Sequence, residues 1–316
     1  MIKADALALR AFTALPESLR RRLRATNWTQ ADLPVIPAAD PAKKNLLIGP
    51  TNSAGQAHLW ARAAGLVPGW AGKNISYRRS AGFAHESDSI GLEEAVVHSP
   101  SWAKRLRETL VRDYSAVIIE SMLPLLGSVH FQDPAREIRY LQRRGLRTGI
   151  LWHGSDVRDP AVHARTTPGS VFGDAPSGEV QKLADVARRN ARKAAATKGV
   201  TLFVSTPDML RHQPRAAWLP LQVHPSFLRD PLGLAEPDAQ TPTVLHLPSR
   251  GFLKGTQVID PQMRALASAG VIRYLAPDRV PHSEMRRLIA SVDIVLDQLG
   301  TDAYGVMSLE ALALGK

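Results

Sequence analysis

From Asn45 onward, short runs of consecutive apolar residues alternate with longer amphipathic stretches. Leu46-Leu47-Ile48, Ala95-Val96-Val97, Ala116-Val117-Ile118-Ile119, Gly149-Ile150-Leu151-Trp152 and Val200-Thr201-Leu202-Phe203-Val204 are such runs. Apolar residues on both faces of a short segment are the habit of strands in parallel sheets. The spacing between them predicts helices, most clearly from Gly178 to about Thr197. There Val180, Leu183, Ala184, Ala187, Ala191, Ala194 and Ala195 form one stripe, and Arg188, Arg189, Arg192 and Lys193 lie on the other side. The segment before it, Thr166 to Gly178, with its Pro, Gly and Ser, reads as a mobile loop. Strands alternating with helices predict an α/β fold with a doubly wound parallel sheet. A second series starts at Thr243-Val244-Leu245-His246-Leu247 and continues through Val271–Tyr274 and Val292–Leu296. The stretch between the series, Pro225 to Pro242, is rich in Pro, Gly and acidic residues, as linkers are. The expected organisation is a basic N-terminal segment over 1–40, an α/β domain over 41–225, a linker over 226–242 and a second α/β domain over 243–316.

In the N-terminal segment Leu7, Leu9, Phe12, Leu15, Leu19 and Leu23 punctuate a stretch that holds Arg20-Arg21-Arg22 and Arg24. It suits a docking helix with a solvated face, or an amphipathic segment that touches an anionic membrane. Pro16 interrupts its periodicity. The chain has 316 residues, 44% of them hydrophobic, enough for about two domains with real cores. A net charge of +11 favours anionic partners without choosing among them. The absence of cysteine excludes disulfides, thiolate zinc sites and a cysteine nucleophile. No apolar run approaches the ~20 residues of a membrane span. A cytoplasmic protein, peripheral at most to the inner membrane face, is the expectation.

The candidate chemistry follows the strands. Arg250 and Lys254 come after the run that begins at Thr243 and flank Gly251, and Gly255-Thr256 opens a helix with Thr256 as its expected cap. In open α/β sheets ligands bind beyond the carboxyl ends of strands. A guanidinium fork and an ammonium there can neutralise a diphosphate. After Val292–Leu296 comes a loop with Asp302, Gly300 and Gly305, then a helix that carries Glu310. Glycine lets backbone amides approach a phosphate closely. Glu310 sits among Leu309, Ala311, Leu312, Ala313 and Leu314, where a carboxylate is costly without a polar partner. Ribose hydroxyls would be such a partner. In the first half, His153-Gly154-Ser155-Asp156-Val157-Arg158 follows a strand. His153 there is either a functional group or a buried hydrogen-bonded one. Asp156 and Arg158 either orient a substrate or pair with one another. The loop Gly49 to Gln56, with Gly55 and Gln56 at its end, opens a helix; it is neither a dinucleotide fingerprint nor a Walker A loop. The ten His residues show no metal-ligand spacing, so no metal is expected.

His246 to Thr256 and Asp293 to Lys316 resemble the retaining GT-B glycosyltransferases of the family-4 type. The resemblance implies two Rossmann-like domains facing a cleft and a nucleotide diphosphate sugar as donor substrate, with no separate cofactor. Arg250 and Lys254 would hold the diphosphate, and backbone amides near Tyr304, Gly305 and Val306 would meet the phosphates. Glu310 would grip the ribose. Asp302 takes the place of the family's commoner first Glu. His153 would sit by the transferred sugar, and Gly55, Gln56, Asp156 and Arg158 would line the acceptor side. The acceptor would be a saccharide, a lipid-linked saccharide or another hydroxyl compound, as in cell-envelope polysaccharide or glycoconjugate synthesis, with no nucleic acid as partner. The family usually returns a C-terminal helix to the first domain, so the second domain is expected to be incomplete. Two other readings stay open: a nucleotide-sugar epimerase or phosphorylase of the same shape, and a non-catalytic basic protein that binds nucleic acid or acidic lipid.

Overall fold

A computed structural model describes residues 28–79, 85–173, 177–228 and 240–316. Residues 1–27 of the predicted basic segment and 229–239 of the predicted linker lie outside the described residues. In chain order the first half holds β1 (Lys44–Gly49), α1 (Gln56–Ala64), β2 (Trp70–Asn74), β3 (Ser76–Arg78) and β4 (Ile90–Leu92). There follow α2 (Glu93–Val97), α3 (Pro100–Asp113), β5 (Ala116–Glu120), α4 (Pro134–Arg143) and β6 (Arg147–Trp152). Then come α5 (Pro160–Thr166), α6 (Ser177–Ala195), β7 (Thr201–Val204) and β8 (Ala217–Trp218). The last part holds β9 (Thr243–Leu245), α7 (Gly251–Lys254), α8 (Thr256–Ser268), β10 (Arg273–Leu275), α9 (His282–Ala290), β11 (Ile294–Val295) and α10 (Val306–Ala313).

The protein is α/β. Its larger sheet has six strands in the order β2-β1-β5-β6-β7-β8. The pairings β1 with β2, β1 with β5 and β5 with β6 are parallel, with Leu46 opposite Gly72 and Ala116, and Ile118 opposite Gly149. A second sheet, β10-β9-β11, is also parallel, with Val244 opposite Tyr274 and Ile294. The described chain divides into two compact units. One runs up to His153 and includes Asn190–Phe203; the other comprises Gly154–Arg189 and Val204–Lys316.

The first unit buries Leu47, Ile48, Val117, Ile119, Ile150 and Trp152 from its strands. Ala57, Ala61, Leu106, Leu110, Ile138 and Leu141 cover them from α1, α3 and α4. Two helix starts carry the same local signal, an aspartate before a proline. Asp133 accepts the Ala135 amide at 3.1 Å ahead of α4, and Asp159 accepts the Ala161 amide at 2.8 Å ahead of α5. The aspartate caps an unpaired amide, and proline at the first helical position gives up none. The second unit packs Leu245, Met285, Ile289, Ala290, Val292, Ala311 and Leu314 around Phe227.

One predicted strand is corrected. Ala95-Val96-Val97 belongs to α2, with Ala95 and Val96 buried. Three apolar residues suit either period, and Glu93 and Glu94 in the first turn favour the helix. The helix predicted from Gly178 forms as α6. Ala184, Ala187 and Ala194 are buried, and Arg188, Arg189 and Arg192 are exposed. Among the described residues, no helix is long and apolar enough to cross a membrane.

Candidate functional site

In the second unit, β9 delivers His246, which is fully buried. Its Nδ1 lies 2.8 Å from the Leu296 carbonyl, and since a carbonyl only accepts, Nδ1 holds a proton. Its Nε2 lies 2.8 Å from the Thr256 hydroxyl. The ring thereby ties the ends of two strands to the start of α8. Thr256 is not the helix cap predicted for it. Gly255 takes that place with φ 75°, a left-handed conformation that glycine adopts freely and a β-branched residue does not. Thr256 becomes the first helical residue, its hydroxyl committed to His246.

Lys254 ends α7, and its Nζ lies 2.5 Å from Asp297 Oδ1. The other oxygen, Oδ2, accepts the Gly305 amide and the Ser308 hydroxyl, each at 2.7 Å. One carboxylate therefore joins the loop after β9 to the start of α10. The lysine side chain is 18% exposed and the aspartate 6%. A Cβ added at Gly305 would stand 2.5 Å from Asp297 Oδ2 and 2.8 Å from Lys254 Nζ. A side chain here would have to push the carboxylate and the ammonium aside. Arg250, at the cap position of α7, is exposed to solvent.

Gly305 is the cap residue of α10, and Val306 is its first helical residue. Tyr304 precedes them, and partial burial pushes its phenol up. Glu310 is buried, with Oε1 3.3 Å from His282 Nε2 on α9. That hydrogen bond outweighs burial and holds the His282 ring above its usual range. The polar partner that the apolar surroundings of Glu310 demand is thus an imidazole. Asp302 is exposed, has φ 52°, and pairs with Arg211 at 2.5 Å.

The loop before Tyr304 is pinned to the stretch after α5. The Val171 amide donates to the Gly300 carbonyl at 3.0 Å. His163 Nε2 donates to the Thr301 carbonyl at 3.1 Å, so Nδ1 accepts from the Ser170 hydroxyl at 2.7 Å. Residues 167–173 are irregular, as predicted, but closely held; 174–176 of the predicted loop lie outside the described residues. Arg158 is buried, and its Nε and Nη2 both donate to Asp208 Oδ2, at 3.0 and 2.5 Å. Asp156 Oδ1 accepts the Gly154 amide at 2.8 Å.

In the first unit, Gly55, with φ 75°, caps α1, and Gln56 is its first residue. His153 follows β6. Its Nε2 lies 2.9 Å from Oε1 of Glu120, the last residue of β5. The Trp60 ring stacks on it at 5.9 Å and 21°. Glu120 is fully buried, and its Oε2 accepts the amides of Thr51 at 2.8 Å and Asn52 at 3.0 Å. Burial pushes this carboxyl up; the His153 hydrogen bond and charge and the two amides overcome it, and the group lies below the usual carboxylate range.

Compared with known protein families, the chain matches no family model. A comparison with curated proteins returns no match either. The functional reading therefore rests on the residues themselves.

The structure brings Lys254 and Gly305 together, and sets Glu310 in the helix that Gly305 begins. It keeps Asp302 on Arg211 and Arg158 on Asp208. Sequence reasoning missed the two groups that organise these sites, Asp297 and Glu120. The available signal was the same for both: a carboxylate at the carboxyl end of an apolar run, where α/β sheets gather function.

Proposed function

We propose that the chain is a retaining GT-B glycosyltransferase, whose second unit takes the nucleoside diphosphate of a sugar donor. The observation that carries the reading is the Asp297 carboxylate with Lys254 on one oxygen and the Gly305 amide on the other. A cation and a helix-start amide held this close offer adjacent groups to a diphosphate. Asp297 holds both in the resting protein, and the ligand competes with it for them. Exposed Arg250 adds its guanidinium. Glu310 exchanges His282 for the ribose hydroxyls, which satisfies a buried carboxylate equally well. His153 attends the transferred sugar, and Gly55, Gln56 and the loop from Gly154 to Arg158 serve the acceptor hydroxyl. The acceptor is a saccharide, lipid-linked or free.

Thermal unfolding with UDP, GDP, ADP and their sugars tests this. A ligand that binds only the folded state raises the midpoint. One base should do so, and Glu310→Gln should weaken that ligand by about 2 kcal/mol, the range of a hydrogen bond to a charged group. No shift with any of them would remove the nucleotide site.

A further inference from the structure

In the first unit, α3 and α4 carry a basic face that the proposed sugar transfer does not use. The helical period puts Arg136, Arg139, Tyr140 and Arg143 on one side of α4, and Arg144 caps its end. The four arginines are exposed, while Ala135, Ile138 and Leu141 fill the buried side. The one acid within the helix, Glu137, turns inward to the Leu125 and Leu126 amides, and burial pushes its carboxyl up to about 8. Among the described residues, Asp133 is the carboxylate paired with this group, 3.5 Å from Arg136.

The basic groups converge on two rings. Arg107 of α3 and Arg144 each hold a guanidinium 5.2 Å from the centre of the Tyr140 ring, and the His130 ring lies 4.9 Å from it. Arg136 stands 5.2 Å over Phe131, which is 55% exposed. Two polar atoms of the cluster, Arg107 Nε and His130 Nε2, are buried with no hydrogen-bond partner among the described residues. Buried polar atoms are nearly always partnered, and each exception calls for an explanation. Burial, and then the charges of Arg107 and Arg136, push the His130 ring down. The backbone is unusual as well: His130, Phe131 and Gln132 have φ of 60°, 61° and 55° in succession. Left-handed residues with side chains persist where the surroundings enforce them, and ligand clamps are such places.

We propose that Arg107, His130, Arg136 and Arg144 form a binding site for a phosphate group, carried by a free phosphorylated molecule or by a lipid headgroup. The donor set is the reason. A guanidinium presents a planar fork that matches two phosphate oxygens, and a ring beneath it restrains the group while leaving its N–H edge to donate. A doubly charged phosphate draws several cations more strongly than a carboxylate with one charge does. It also supplies the partner that Arg107 Nε and the His130 ring lack. The Tyr140 and Phe131 rings are taken up by guanidinium groups rather than offered to bases, which argues against single-stranded nucleic acid. The site belongs to the first unit and does not rest on the nucleotide reading of the second.

The experiment is a titration of the full chain with inorganic phosphate, read by nitrogen-15 NMR of the histidine rings, with His130→Gln used to assign the signal. The His130 signal should shift and saturate, and its titration midpoint should move up once an anion offsets the two arginine charges. Arg107→Gln and Arg144→Gln should each weaken phosphate by about tenfold, the loss of one charge-assisted hydrogen bond. Arg112→Gln removes the same charge from α3 at a residue already held by Asp113, and should change the affinity by less than about twofold. Arg144 is exposed, so its variant decides the matter if Arg107→Gln fails to fold. Sedimentation with phosphatidic acid vesicles, beside phosphatidylcholine ones, identifies the carrier. Pelleting with the former that Arg144→Gln weakens assigns the lipid headgroup, and phosphate binding without such pelleting assigns a free phosphorylated ligand. A His130 signal that phosphate leaves in place overturns the proposal. An equal loss of affinity in Arg112→Gln also overturns it, because that would be attraction to net charge and not a site.

Discussion

In each unit a carboxylate at or just past the end of a strand gathers neighbouring loops, and the two do it differently. Glu120 holds two amides and an imidazole in a fully buried place. Asp297 holds an ammonium, one amide and a hydroxyl at the edge of solvent. The partner decides what the carboxylate is good for. A lysine keeps its charge and can be shared with an arriving anion, whereas an imidazole has its proton fixed in place. A third carboxylate sharpens the point. Glu137 is as buried as Glu120 and also accepts two amides, from Leu125 and Leu126. Burial, helped by the Asp133 charge, overcomes those amides and pushes its carboxyl up to about 8. Glu120 lies on the opposite side of its usual value, and His153 heads the groups that draw it down.

The largest expected effect separates the first pair. Glu120→Ala strands two amides and a ring away from water and should cost about 3–5 kcal/mol, as when one partner of a buried pair is lost. Asp297→Ala leaves Lys254 able to rehydrate and should cost about 1–3 kcal/mol. Denaturant unfolding of both variants measures this, and equal losses would erase the distinction.

The next effect tests Glu137 through pH. Its folded value is raised, so the folded state binds the proton more tightly than the unfolded one. Its contribution is present at low pH and lost as pH climbs through about 8. Stability should fall by roughly 1 kcal/mol between about pH 7 and about pH 9, and Glu137→Gln should flatten that slope. An unchanged slope would mean that Glu137 is ionised after all.

The smallest effect concerns His282. Its ring is raised by Glu310, so its contribution is complete below the ordinary imidazole value and lost as pH rises through the folded one. The side chain is 32% exposed, and the gain should stay below about 1 kcal/mol. His282→Asn should lower the urea midpoint at about pH 5.5 and leave it unchanged at about pH 8. A loss of equal size at both would make the contact one of packing rather than charge.

The strands legible in the sequence are those apolar on both faces. The runs at 46–48, 116–119 and 149–152 all became central strands. β2 was not legible, because four of its five residues are half-buried and its sequence is Trp-Ala-Gly-Lys-Asn. Its Gly72 faces the Ala61 carbonyl, which a Cβ would meet at 2.0 Å, so close packing of α1 removed the apolar residue that would have marked it. The two motif loops near Lys254 and Gly305 were legible as places where charge and glycine follow a strand. What joins them was not. Thr51 and Glu120 are 69 residues apart, and Lys254 and Asp297 are 43 apart. A carboxylate at a strand end acquires its meaning from partners that the fold supplies.

The Lys254–Asp297 contact also sets a threshold on what the proposed site admits. An internal counter-ion already occupies the lysine, and it is tethered, so its local concentration does not fall on dilution. Chloride, small carboxylates and single phosphates would have to outbid it with one weak contact. A ligand that brings two linked phosphates and a ribose has several contacts to offer at once. Selectivity against the abundant small anions of a cell would then come from a bond the resting protein makes with itself.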